Sequence, residues 1–267
     1  SMRKLDNTEV KKYILNILCE FAAFCDQNGL RYYLSGGTLL GAVRHKGFIP
    51  WDDDVDLLMP RPDFDKLHDL LRKGNIRPYY KLISLQMGNS FWPFAKIIDT
   101  RTYVKNEYSN VDQHLWIDIF PMDGLPDDKE ESDILLSKAE PLKKWINRCS
   151  ATIGKGKGFV RSIVKIPMIL FLRMYTPERF GRKLDKLAHQ YDFDKQEYIG
   201  GVAWSLGPNE RMKKKEYLPY NDVEFCGKKF HAPACWKFYL TQIYGDYMQL
   251  PPESKRINHE FDAYIEG

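Results

Sequence analysis

Four aspartates within five positions, Asp52, Asp53, Asp54 and Asp56, run directly into the apolar residues Val55, Leu57, Leu58 and Met59. A solvated acidic turn has no reason to continue this way, because a carboxylate buried beside a like charge is costly unless a cation compensates. Read as a strand, Asp54 to Met59 places Asp54 and Asp56 on one face by its period of two, about 7 Å apart along the chain. One divalent ion can touch both. Hard oxygen ligands of this kind suit Mg²⁺ or Mn²⁺, which keep positions open for the oxygens of a phosphate.

The flanking sequence gives this strand a setting. Apolar residues recur at Val10, Tyr13, Ile14, Ile17, Leu18, Phe21 and Cys25, with Gly29 placed to end the helix that they predict. A short strand, Arg31 to Leu34, then leads to Gly36-Gly37, and Thr38 to Arg44 is expected to form a helix. Its N-terminal amides, with Gly36, Gly37 and Thr38, make a phosphate cradle. Downstream, a helix is expected from about Asp63 to Arg72, with Pro62 in its first turn, and β-structure over 80–86, 91–99 and 102–105. The segment Leu115-Trp-Ile-Asp-Ile-Phe120 reads as a strand carrying a lone acid, Asp118, with Trp116 and Phe120 on its face. If that strand lies beside Asp54 to Met59, Asp118 completes a three-carboxylate cage; the alternative is a structural salt bridge. A helix from about Glu130 to Asn147 follows.

With 43% hydrophobic residues among 267, the chain is long enough for one large domain or two small ones with a real core. A net charge of +4 is too mild to imply nucleic acid, and the basic residues are segregated: twelve fall between Lys143 and Lys186 against two acids. The character changes near residue 149, so 3–148 reads as the catalytic core and 149–267 as a basic, helical and aromatic-rich region packing on it. Within the latter, Gly154 to Gly158 is a basic loop. Phe159 to Tyr175 is either an amphipathic helix against anionic headgroups, interrupted at Pro167, or a core helix flanked by solvated lysines. Five cysteines without paired spacing argue against a disulfide framework and fit a reducing cytosol, and Cys226, His231 and Cys235 match no standard zinc spacing. Ser1-Met2 reads as the scar of a removed tag, no secretory signal is legible, and the longest apolar run, Ile166 to Leu172, is far short of the roughly 20 residues that span a bilayer.

Taken together, Gly36-Gly37-Thr-Leu-Leu-Gly-Ala-Val-Arg44, Ile49-Pro-Trp-Asp-Asp-Asp-Val-Asp56, Asp118-Ile-Phe-Pro121 and the C-terminal Tyr244-Gly-Asp-Tyr-Met followed by Leu250-Pro-Pro252 resemble the LicD family of phosphocholine transferases. The resemblance runs from the first helix to about Arg256. It implies an α+β fold: a nucleotidyltransferase core like that of DNA polymerase β, with a mixed sheet flanked by helices, plus a helical and irregular C-terminal extension. It also implies that Asp54, Asp56 and Asp118 are the catalytic, metal-binding acids. Sixteen residues separate Gly37 from Asp54, a longer gap than the minimal superfamily pattern, so Asp52 and Asp53 remain alternatives for the leading ligand.

The implied reaction is transfer of phosphocholine from CDP-choline to a hydroxyl of a cell-surface glycan or its lipid-linked precursor, as in lipopolysaccharide or teichoic acid modification, with release of CMP. Paired metal ions suit such chemistry by neutralising phosphate oxygens and the leaving phosphate. Arg44, Lys46 and Lys96 are the nearest cationic candidates for phosphate contacts. A quaternary ammonium needs aromatic faces, for which Trp51, Trp92 and Trp116 are candidates. The alternatives are nucleotidyl transfer to a small molecule, transfer of another CDP-linked alcohol, and a non-catalytic module binding membrane or polyanion. The expected location is cytoplasmic, with peripheral contact at the inner face of the membrane.

Overall fold

Helix α1 (Asn7–Asn28), preceded by the short strand β1 (Met2–Lys4), begins with a reciprocal cap. The Glu9 N–H donates to Asp6 Oδ1 at 2.8 Å, and the Asp6 N–H donates to Glu9 Oε1 at 3.3 Å. Its apolar stripe, Val10, Ile14, Ile17, Leu18, Phe21 and Cys25, is buried, and the helix stops at Gly29 as its sequence predicts. The computed structural model describes residues 1–105, 113–149, 176–257 and 262–267, together with Pro167. Apart from Pro167, the basic loop at 154–158 and the amphipathic segment 159–175 lie outside the described residues.

The chain continues through β2 (Tyr33–Leu34), α2 (Gly36–His45), β3 (Asp56–Pro60), α3 (Arg61–Arg72), β4 (Tyr80–Ile83), β5 (Ala95–Val104), β6 (Gln113–Leu125) and α4 (Lys129–Cys149). Then follow α5 (Pro177–Ala188), β7 (Tyr198–Gly201), β8 (Met212–Lys213), α6 (Lys214–Tyr217), the hairpin β9 (Tyr220–Phe225) and β10 (Lys228–Pro233), α7 (Trp236–Tyr244) and β11 (Ala263–Glu266). The main sheet runs β1-β11-β5-β6-β3-β2, with β4 also on β5 and β7 and β8 extending from β6. It is mixed: β3 and β6 are parallel, and the pairs around them are antiparallel. Strands from beyond residue 148, β7, β8 and β11, are members of this sheet.

Burial alternates along β5 and the first half of β6. Leu57, Ala95, Ile97, Leu115, Ile117 and Ile119 are fully buried, and α1 packs on β5 and β6. The intervening residues Asp56, Lys96, Trp116 and Asp118 are only half-buried, so the opposite face is partly open where the acids lie. A second apolar cluster joins α4 to α5 through Leu135, Ala139, Ile146, Leu184 and Ala188. At the end of β6, Arg61 and Asp123 form a buried bidentate pair, with Nε to Oδ1 at 2.7 Å and Nη2 to Oδ2 at 2.8 Å.

Several boundaries differ from those expected. The acidic strand begins at Asp56, not Asp54, because the Asp54 N–H turns back to Asp52 Oδ1 at 3.1 Å, a side-chain bond that competes with sheet pairing. The expected strands at 91–99 and 102–105 are one strand, β5, whose register with β6 shifts between Asp99 and Val104. Strand β4 ends at Ile83, short of Gln86, and α3 starts at Arg61 with Pro62 in its first turn. Helix α4 outruns its expected range at both ends.

Candidate active site

The acids meet across the parallel pair. Asp56 on β3 is the register partner of Asp118 on β6, and Lys96 on β5 is the partner of Asp118 on its other side. Since paired residues on adjacent strands share a face, Lys96, Asp118 and Asp56 form one row on the open side of the sheet. Lys96 Nζ lies 3.6 Å from Asp118 Oδ1 and 4.6 Å from the centre of the Trp116 ring. Trp116 Nε1 donates to Asp118 Oδ2 at 3.0 Å, which fixes the carboxylate.

Asp54 and Asp52 approach from the turn before β3. Burial first, then the Asp118 and Asp54 carboxylates, a hydrogen bond with Asp118, and Asp52 push the Asp56 carboxyl well above the usual carboxylate range. Among the described residues, the acidic trio whose ligand oxygens lie within 4.8 Å of one another is Asp52, Asp53 and Asp54. The acids thus form two adjoining sets, the turn trio and the Asp56–Asp118 pair. Crowded carboxylates are a donor set that a hard divalent cation fits, and Asp52, Asp53 and Asp54 in the turn, with Asp56 and Asp118 adjoining, are the residues that could hold it.

The glycines are not a loop ahead of the helix but the first turn of α2. Gly36 sits at φ 51°, where a side chain would be strained, and a Cβ there would come 3.1 Å from Leu206 Cδ1 and 3.7 Å from Tyr244 Oη. A Cβ on Gly37 would come 3.2 Å from Asp52 Oδ2, so the absence of side chains lets the acidic turn lie against the helix start. The cradle is partly filled from within the protein. The Gly36 N–H donates to Tyr239 Oη at 3.3 Å, and the Thr38 N–H to the Ser35 carbonyl at 3.0 Å. Thr38 Oγ1 instead ties the acidic strand down, accepting the Asp56 N–H at 2.9 Å and donating to the Asp54 carbonyl at 3.4 Å.

Behind Gly36 stands a buried brace that no sequence pattern announced. Tyr239 Oη donates to Glu210 Oε2 at 2.6 Å, and the Leu206 N–H donates to Glu210 Oε1 at 3.4 Å. Burial pushes the Glu210 carboxyl up to about 7, against the lowering effect of these bonds and of Lys143. Glu210 follows a Gly-Pro-Asn turn in a polar stretch, so its only signal is being an acid in a segment with few others.

The other candidates fall in different places. Arg44 Nη1 donates to the carbonyls of Tyr247 at 2.9 Å and Gln249 at 3.3 Å, so it holds the segment after α7. Lys46 lies in the left-handed turn closing α2 and pairs with Glu224 at 3.7 Å, on the hairpin. Trp51 carries the Arg256 guanidinium 5.2 Å over its ring. Trp92 joins an aromatic group with Phe94, Phe120 and Trp204, at 5.3 Å from Phe94 and 6.0 Å from Trp204. Phe120 lies two residues from Asp118 on its strand face, and Trp204, which no sequence pattern marks, stacks on it at 6.0 Å. His231 is stacked between Tyr32 and Tyr220, at 4.6 and 3.9 Å, which gives the imidazole a packing role.

This geometry coincides with a family match. The family model described as LicD/FKTN/FKRP, nucleotidyltransferase domain, matches residues 29–140, which include every acid of the cluster. The lipopolysaccharide cholinephosphotransferase LicD of Haemophilus influenzae is 32% identical over 273 residues, covering 99% of this chain and 100% of that protein. Ribitol 5-phosphate transferase FKRP of Homo sapiens is 47% identical over 49 residues, which is 18% of this chain and 8% of that protein. A match of that extent to a LicD protein, with Asp56 and Asp118 paired on one sheet face, places the chain in the LicD family of phosphotransferases.

Proposed function

We propose that the protein transfers phosphocholine from CDP-choline to a hydroxyl of lipopolysaccharide or its precursor and releases CMP, using a nucleotidyltransferase-type core that holds Mg²⁺ or Mn²⁺. The observation that carries this reading is the Lys96–Asp118–Asp56 row, in a chain aligned end to end with a cholinephosphotransferase. Asp54, Asp56 and Asp118 would hold the metal, with Asp52 adjoining. When bound, it supplies charge neutralisation for the phosphate oxygens and for the departing phosphate.

The chain's own groups divide the remaining work. Lys96 presents its ammonium beside Asp118, where a phosphate oxygen replaces part of that contact. Asp118, held through Oδ2 by Trp116 and with Oδ1 beside Lys96, receives the proton of the attacking hydroxyl. The hydroxyl oxygen forms a bond to the choline-bearing phosphorus as the bridging P–O bond breaks, and the bridging oxygen leaves on CMP. Gly37 keeps the acidic turn close to the helix start, and Thr38 fixes the backbone of β3.

The similarity to a ribitol 5-phosphate transferase over 49 residues supports a second reading, transfer of a different CDP-linked phospho-alcohol. Product analysis separates the readings. The protein is incubated with Mg²⁺, deacylated lipopolysaccharide and CDP-choline or CDP-ribitol in turn. CMP with a phosphocholine-bearing glycan supports the first; CMP with CDP-ribitol alone supports the second; pyrophosphate release from CTP would instead show nucleotidyl transfer and sink both. Among the described residues no helix is long and apolar enough to cross a membrane, and peripheral contact at the inner face remains part of the proposal.

A further inference from the structure

A cavity of about 450 Å³ lies between α2 and the chain that follows α7, a volume in the range of small-molecule sites (~300–1,000 Å³). Arg44, Ile49, Trp51 and Tyr244 are among its walls, and the Arg256 guanidinium lies 5.2 Å over the Trp51 ring. The cavity borders the acids. Trp51 immediately precedes Asp52, and Ile49 meets the same side of Gly37 as Asp52, at 3.9 and 3.2 Å from a Cβ placed there. Tyr244 Oη lies 3.7 Å from a Cβ on Gly36. Its ring edge is exposed, while burial of the hydroxyl end and the Glu210, Asp56 and Asp52 carboxylates hold that hydroxyl protonated, against the pull of Arg44. The hydroxyl feels both the Arg44 cation and the acids, so the cationic wall and the acidic turn are neighbours.

Guanidinium groups stay charged, and the partners of these two are neutral. Arg44 donates from Nη1 to the two carbonyls already described and from Nε to His45 Nε2 at 2.9 Å, and Arg256 donates from Nε to the Pro251 carbonyl at 3.1 Å. Among the described residues, Arg44 Nη2, both terminal nitrogens of Arg256 and the Tyr244 hydroxyl have no hydrogen-bond partner, and neither arginine has an ion pair. Burial, and then the like charge of Arg256, lower the Arg44 guanidinium from its ordinary value, against the influence of Tyr244. The rim carboxylate, Asp246, is exposed and screened by solvent. An uncharged ligand would displace water from the two cations and leave their repulsion standing, whereas an anion relieves it. The diphosphate of a CDP-linked alcohol carries one negative charge on each phosphate and offers oxygens to both guanidiniums.

We infer that Arg44 and Arg256 hold the diphosphate of the nucleotide donor in this cavity, and that Arg256 is the catalytic residue that stabilises CMP as it leaves. The inference rests on the phospho-alcohol transfer reading above and adds the groups that receive the leaving charge. As the acceptor oxygen bonds to the alcohol-bearing phosphorus, the electron pair of the bridging P–O bond passes to the CMP phosphate, and the acceptor's proton goes to Asp118. The charge of the CMP phosphate rises from one negative to two in that step. Guanidinium N–H groups aimed at it therefore bind the transition state more strongly than the bound donor. Arg44 also anchors the segment after α7, so the half-buried Arg256 is the residue to vary.

The test has two arms, both with Mg²⁺ present. In the first, calorimetry without acceptor measures CDP binding to the unaltered protein, to Arg256→Gln and to Arg256→Lys. A CDP Kd raised about tenfold or more in Arg256→Gln, and partly recovered in Arg256→Lys, which keeps the charge and loses the planar fork, supports the assignment. Equal Kd in all three, no CDP binding to the unaltered protein, or a lysine variant no better than the glutamine one overturns it. In the second, CMP release from CDP-choline is followed as each substrate is varied. The expected result for Arg256→Gln is a kcat lowered about tenfold or more and a raised donor KM, with the acceptor KM within about twofold. A raised acceptor KM with unchanged donor KM would assign the guanidiniums to a phosphate on the glycan and refute the inference. CDP binding that Arg256→Gln abolishes, without CMP release from CDP-choline by the unaltered protein, would refute the choline donor while leaving the diphosphate site in place. Undiminished CMP release by Arg256→Gln would do the reverse.

Discussion

Asp56 and Asp118 stand opposite one another on adjacent parallel strands, two like-charged groups in one partly buried row with Lys96 on the far side. Such a pair is unfavourable to ionise in the folded protein. Asp56→Asn and Asp118→Asn are each expected to lower transfer about 10³-fold while leaving the metal-free protein as stable as the unaltered one or more so. Thermal melts in chelator alongside rate assays check both halves. A variant that melts lower in chelator and keeps full activity would contradict the proposed role of the pair.

A divalent ion that binds only the folded chain should stabilise it. At about 100 times its Kd the gain is about 2.7 kcal/mol, which corresponds to a rise of several degrees in Tm for a chain of this size. Mg²⁺ or Mn²⁺ is expected to produce that rise in the unaltered protein and not in Asp56→Asn. Chelation should abolish CMP release, and re-addition of metal should restore it.

Lys96 is the side-chain cation that the fold places on the acidic row. Lys96→Ala is expected to lower kcat about 100-fold, because an ammonium aimed at developing phosphate charge is lost. By contrast, Lys46→Ala is expected to alter kcat less than twofold, since Lys46 points to Glu224 on the hairpin. Steady-state kinetics on the two variants provide the comparison.

Glu210 sets a pH dependence of stability. Its folded carboxyl titrates at about 7, above the ordinary value of 4.5. A folded state that holds a proton more tightly than the unfolded chain loses stability as pH rises through that window, here from about 4.5 to about 7, and the loss is complete above it. The contribution is on the order of 3 kcal/mol. Glu210→Gln should remove that part of the slope, so that the difference in stability between variant and unaltered protein shifts in favour of the variant as pH rises from 5 to 8. Urea melts across that range decide it; parallel curves would refute the assignment.

The Arg61–Asp123 pair ties the start of α3 to the end of β6 in a buried setting. Asp123→Ala leaves a buried guanidinium without its bidentate partner and is expected to cost about 3–5 kcal/mol. Arg61→Leu/Asp123→Leu, which removes both charges, should recover much of that loss. Chemical denaturation of the three proteins measures the coupling.

Much of the acidic site is legible in the chain because its signals are local. Asp118 is conspicuous as a lone acid between isoleucines, and Asp56 as an acid inside an apolar run, so their alternation predicts a shared face once the strands are neighbours. The capping and apolar spacing of α1 are likewise local. What stays hidden depends on long-range packing. The direction of Arg44 and Lys46 is set by the segment after α7 and by the hairpin, some 180 to 200 positions away, and a basic residue near an acidic motif looks the same whichever way it points. Asp54 leaves the strand because Asp52 offers its backbone a closer acceptor, a competition that period-two reading does not weigh. Trp204 and Glu210 lie in turns without periodicity, and only the folded chain shows them against Phe120 and Tyr239.

The first glycine of α2 leans on Leu206, Tyr239 and Tyr244, residues made long after every acid of the cluster. Loop closure over such sequence separations comes late in folding. A nascent chain that has just completed β6 therefore holds all the carboxylates without the wall that shapes the helix start beside them. Competence for transfer is then one of the last properties the polypeptide acquires, because the helix start beside the carboxylates takes its shape only when the C-terminal third has packed behind it.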